Sequence, residues 1–71
     1  MGDPSGFDAF VAASGPSLLR TAWLLTGNWA SAQDLAQTAL MKAWRHWPRV
    51  ERAGDPEAYV RRVVVTTYAT W

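Results

Sequence analysis

AQDLAQTALMKAWRHW, Ala32 to Trp47, followed after a short basic linker by DPEAYVRRVVVTTYATW, Asp55 to Trp71, decides how this chain folds. In the first segment Leu35, Ala39, Leu40, Ala43, Trp44 and Trp47 recur at intervals of three and four, an apolar stripe along one side of an α-helix. Gln33, Gln37, Lys42, Arg45 and His46 lie on the opposite surface, so one face is packed and the other meets water or a partner. Ser31 is the expected N-cap, with Asp34 three residues on in a capping-box-like position, its charge complementing the helix N-terminus. Pro48 cannot continue the helix and is expected to stop it.

Pro48 to Gly54, PRVERAG, reads as a charged linker. Asp55 then has the side chain of an N-cap and Pro56 suits the first helical position, where a missing N–H costs nothing, while Glu57 supports the helix dipole. Val60, Val63, Val64, Thr67 and Trp71 form one side of the helix that follows. Val63-Val64-Val65 taken alone would suit a strand, because β-branched residues favour extended backbone. The start signals and the length of the segment outweigh that preference. Upstream, Phe7, Phe10, Val11, Leu18, Ala22 and Leu25 predict a helix ending near Thr26 with Gly27 as its C-terminal cap, and Gly15-Pro16 can kink or restart it. The expected fold is all-α and compact, with three helices, or four if the kink divides the first.

A chain of 71 residues is one domain at most and needs a dense core, to which its five tryptophans can contribute. Residues 1–6 are expected to be a flexible N-terminus and residues 7–71 the domain. Without cysteine, and with His46 the lone histidine, neither a disulfide scaffold nor a thiolate or imidazole metal cluster can be built. Asp34 lacks a histidine or second carboxylate at helical spacing, and Glu51, Asp55 and Glu57 gather at a helix start, where capping explains them. Phosphate loops and nucleophile elbows are absent, so the expectation is a protein that is not an enzyme and uses no cofactor or metal. With neither a leader pattern nor a membrane span, a soluble cytoplasmic protein is expected. The net charge of +1 is uneven. Arg20 against Asp3, Asp8 and Asp34 leaves −2 over residues 1–37, whereas six cations against Glu51, Asp55 and Glu57 leave +3 over residues 38–71. That asymmetry is a weak footprint for a polyanion.

Asp34-Leu35-x-Gln37 leading into Ala43-Trp44-Arg45, and then Asp55-Pro56-Glu57-Ala58-Tyr59-Val60-Arg61-Arg62, come in the order and spacing of a known family. From Phe7 to Trp71 the chain resembles region 2 of the extracytoplasmic-function (ECF) sigma factors, in particular the actinobacterial group similar to the sigma-E subfamily. The resemblance implies a helical domain that docks on RNA polymerase and recognises and melts the −10 promoter element. The helix that in this family binds the β′ clamp helices maps onto Asp34, Gln37, Thr38, Met41, Lys42 and Arg45. Family members capture flipped-out bases of the non-template strand with the following loop and the start of the next helix. By that resemblance Arg49, Arg52, Arg61 and Arg62 are the phosphate-contact candidates of promoter DNA, with Thr66 and Thr70 further along. Tyr59, Tyr68 and Trp71 stand among these cations, although core packing accounts for Tyr59 and Trp71 at least as well.

The chain departs from the family at three points. Thr38 stands where members commonly carry Glu and Thr66 where they commonly carry Asn, and the expectation is an isolated or shortened form without region 4, which reads the −35 element. These departures motivate a second expectation, a sigma-like interaction module that binds polymerase or an anti-sigma factor without promoter activity. A helix-turn-helix repressor fits less well, because the linker exceeds the usual 3–4-residue turn.

Overall fold

Gly6 opens the first helix with a left-handed backbone, φ 82°, its carbonyl accepting from Phe10 N at 3.0 Å. Gly6 is also where the description begins: a computed structural model describes residues 6–71, and the rest of the expected flexible N-terminus lies outside the described residues. Helix α1 runs without interruption over Phe7–Thr26, with Pro16 inside it. The expected division at Gly15-Pro16 does not occur. Pro16 and Ala12 both lie on the exposed side, where water can take the carbonyl that the missing N–H leaves without a donor. Gly27 ends the helix as expected, at φ 68° with its N–H donating to Trp23 O at 2.7 Å.

Helix α2, Trp29–Arg45, starts three residues earlier than an N-cap at Ser31 would have it. Asn28, not Ser31, is the N-cap: its Oδ1 accepts from Ser31 N at 2.9 Å, and its backbone is held in turn by Thr26 Oγ1. Asn28 satisfies the same orphan N–H groups that Ser31 would have, and immediately after the Gly27 turn it leaves no residues unpaired between the helices. Asp34 is therefore well inside α2 and takes no part in capping.

The segment 48–54 is a further correction. Trp47–Arg52 form a short helix, α3, with Pro48 in its first turn and His46 as the residue shared between α2 and α3. His46 N donates to Ala43 O at 3.2 Å, and His46 O accepts from Arg49 N and Val50 N at 2.9 and 3.1 Å. Proline both ends α2 and starts α3, since a missing N–H is harmless in a first turn. Helix α4, Pro56–Thr70, follows the expected signals, with Asp55 Oδ1 accepting from Ala58 N at 3.1 Å. The valine run is helical, and the described residues contain no strand. Among the described residues the architecture is all-α with four helices, the fourth coming from the supposed linker instead of a kinked α1.

Helices α1, α2 and α4 pack against one another and α3 closes the corner beside α4. Ala32, Ala36, Ala39 and Ala43 repeat along the inner side of α2, small enough for its neighbours to approach closely, and meet a core of Leu18, Leu35, Val50, Val60 and Val64. The tryptophans contribute less than their number suggests. Trp47 alone is buried, with its ring 5.3 Å from Phe7 and 5.2 Å from Phe10. Trp44 was expected on the packed stripe but is half-exposed, lying on Phe7 at 5.0 Å, and Trp71 is exposed as well. Once alanines fill the seam, the interior has no room for more than one indole. No helix among the described residues is long and apolar enough to cross a membrane.

Candidate functional site

Two surfaces gather the candidate residues. Along α2, Asp34, Gln37, Met41 and Arg45 are exposed and Thr38 is half-buried. At about 100° per residue these five fall within an arc of ~100°, a single outward stripe. Its middle is apolar at Met41, and the exposed face of Trp44 borders it beside Gln37. Its ends carry a carboxylate and a guanidinium, as a mixed protein interface requires. The sixth candidate does not join them. Lys42 Nζ donates to Thr67 Oγ1 of α4 at 3.1 Å, so its head group is directed across the seam between the two helices.

The second surface is the corner where α3 meets α4. A concave cradle of about 550 Å³ is lined there by Ala53, Asp55, Ala58, Tyr59, Arg62, Val63 and Thr66. Its walls exist because α3 folds back at Ala53 and because α4 presents 55, 58, 59, 62 and 66 on one side, successive turns of one face. A carboxylate, an aromatic ring, a guanidinium and a hydroxyl thus surround one opening, on a mostly apolar floor. Arg52 is exposed and immediately precedes the cradle, and Arg49 is exposed one turn earlier on α3.

The remaining DNA candidates are differently engaged. Arg61 Nη2 donates to Glu57 Oε2 at 2.8 Å, and Ser17 Oγ of α1 donates to the same oxygen at 3.2 Å. Arg61 therefore belongs to a network tying α4 to α1. Thr66 Oγ1 donates to Val63 O at 3.1 Å, and Thr70 Oγ1 to Thr66 O and Thr67 O at 3.2 and 3.3 Å. Both hydroxyl protons are directed back into the helix, leaving oxygen lone pairs as what these residues offer outward. Tyr59 packs against the core and also lines the cradle, whereas Tyr68 and Trp71 are exposed and do not line it.

Three features escaped sequence reasoning. Asp55 was legible as a cap but not as a cradle wall, since only the fold-back of α3 makes the opening. Ser17 meets Glu57 from forty residues away, which no local pattern signals. Trp23 and Trp29 stack at 5.6 Å with 29° between their planes, flanking the Gly27 turn, and remain substantially exposed.

The chain is 37% identical over all 71 of its residues to the RNA polymerase sigma-E factor of Streptomyces coelicolor, and covers 40% of that protein. It is 34% identical over 70 residues to the sigma-E factors of Streptomyces avermitilis and Streptomyces antibioticus, covering 39% of each. The chain thus spans about two-fifths of the length of the curated relatives it matches. No solved structure matches it. Residues 10–71, which hold the outward stripe of α2 and the whole α3–α4 cradle, match the Sigma-70 region 2 family, and the chain belongs to that family.

Proposed function

We propose that this chain is the promoter-engaging region of an ECF-type sigma factor, acting in the cytoplasm without enzymatic activity of its own. The outward stripe of α2, Asp34, Gln37, Thr38, Met41 and Arg45, docks on the β′ clamp helices of RNA polymerase. The α3–α4 corner takes an extruded base of the non-template −10 strand. The observation that carries the second step is the cradle, which places Tyr59, Arg62 and Asp55 around one opening large enough for a planar base. Capture of an unstacked base offsets an opening cost of a few kcal/mol and so favours the melted promoter. Arg49, Arg52 and Arg62 supply exposed cations along the same edge for the phosphates. Fluorescence anisotropy with single-stranded non-template −10 oligonucleotides tests this. Sequence-dependent and salt-dependent binding is expected, and binding that shows neither overturns it.

A second reading has its own support. Thr66, where the family commonly carries Asn, directs its hydroxyl proton to Val63 O, and Arg61 is engaged with Glu57. Both weaken the base-reading side relative to the docking side and favour an interaction module that binds polymerase or an anti-sigma factor. Retention on immobilised β′ clamp helices without any oligonucleotide binding selects this second reading.

A further inference from the structure

We infer that Lys42 is a positioning residue for the α3–α4 cradle and not a contact of the polymerase-facing stripe, an inference that rests on the nucleic-acid reading of the cradle. Lys42 stands about 40° beyond Thr38, outside the arc of the other stripe residues and on the flank nearest α4. Its ammonium donates at 3.1 Å to Thr67 Oγ1, and Thr67 is only 3% exposed. The core that α2 and α4 share is built mainly from alanine, leucine and valine, whose attraction is non-directional and resists axial sliding or rolling weakly. A hydrogen bond across that seam is directional and fixes the register.

Among the described residues, α4 is also tied to the body of the domain by Ser17 Oγ donating to Glu57 Oε2, in its first turn. Glu57 and Thr67 are ten residues apart, about 15 Å along the axis. The cradle residues Ala58, Tyr59, Arg62, Val63 and Thr66 all fall between these two ties. Releasing the Thr67 end frees the half of α4 that carries Arg62 and Thr66 to shift. Binding geometry depends on such supporting hydrogen bonds, because a constellation loosened by a fraction of an ångström loses its complementarity.

The experiment compares Lys42→Met, Thr67→Val and the double variant in the 71-residue chain. It reads anisotropy with a single-stranded −10 oligonucleotide over a salt series, and affinity for β′ clamp helices. Each single variant is expected to weaken oligonucleotide binding about tenfold, the factor equivalent to ~1.4 kcal/mol. The double variant is expected to be no worse than either single one, the signature of a shared interaction. Clamp-helix affinity and the salt slope stay unchanged. Oligonucleotide affinities equal to wild type overturn the inference. Loss of clamp affinity in Lys42→Met alone overturns it in favour of a polymerase contact, and a reduced salt slope in Lys42→Met alone in favour of a direct phosphate contact. A wild-type chain that does not bind the oligonucleotide defeats the cradle reading itself, which separates the two failures. If Thr67→Val melts below the assay temperature, Lys42→Met and the hydroxyl-retaining Thr67→Ser decide the matter, with Thr67→Ser expected to bind as wild type.

Discussion

Replacing Arg62 with alanine is expected to weaken −10 oligonucleotide binding and flatten its salt dependence, whereas replacing the adjacent Arg61 leaves both close to wild type. The neighbours differ in what holds them. Arg61 is tied at 2.8 Å to Glu57, while Arg62 is exposed, lines the cradle and makes no ion pair among the described residues. Each phosphate neutralised on a single strand contributes about 0.7 to the slope of log affinity against log salt. Between about 50 and about 200 mM salt one contact is therefore sensitive by ~2.6-fold, and the ratio of wild-type to Arg62→Ala affinity should be larger at the lower salt by that factor. Arg61→Ala loses instead an exposed helix pair worth about 0.3–0.5 kcal/mol, a fall in Tm of about 1–4 °C. Anisotropy titrations across a salt series, with thermal melts followed by circular dichroism, measure both effects. An unchanged slope in Arg62→Ala, or equal losses of affinity in the two variants, refutes the assignment.

The corrected start of α2 predicts that Asn28→Ala lowers stability by about 1 kcal/mol, about 4–8 °C in Tm, and that Ser31→Ala costs much less; thermal melts in the reverse order return the cap to Ser31. Trp47→Ala removes the one buried indole at a cost of about 3–5 kcal/mol, comparable with the ~3–5 kcal/mol that a core of this size supplies, so near-UV circular dichroism should show a largely unfolded chain. Trp44→Ala keeps the fold, and matching spectra for the two variants would contradict the burial assigned here. Met41→Glu is expected to leave stability within about 0.5 kcal/mol of wild type, because the side chain is exposed, and to weaken clamp-helix binding at least about tenfold by calorimetry. Unchanged clamp affinity counts against the docking stripe.

How much of this was legible depends on whether a signal was local. Asp55-Pro56-Glu57 announces α4 from three adjacent residues because capping is short-range chemistry, and Gly27 announces the end of α1 for the same reason. Asn28 carries an equally local signal, but Ser31 offers the same hydroxyl-or-amide chemistry three residues later, and an apolar stripe cannot choose between them. Pro48 has two meanings, stop and first turn, and only the packing of Val50 into the core selects the second. The motif Asp34 to Arg45 pointed to the helix proposed to dock on polymerase. It could not separate Lys42 from its neighbours, since Thr67 is twenty-five residues away.

By itself the sequence determined that the fold is all-α, where two of its long helices begin or end, and which family its motifs belong to. These follow from residues within a turn or two of one another. Tertiary structure alone decided which tryptophan is buried, that the basic linker is a helix, that Asp55, Tyr59 and Arg62 share one opening, and that Arg61 and Lys42 are engaged with Glu57 and Thr67. Those outcomes turn on the volume and the donors that distant segments bring together. Alanines along α2 left space for one indole, and the hydroxyls of Ser17 and Thr67 met charged side chains that no local spacing could have paired with them.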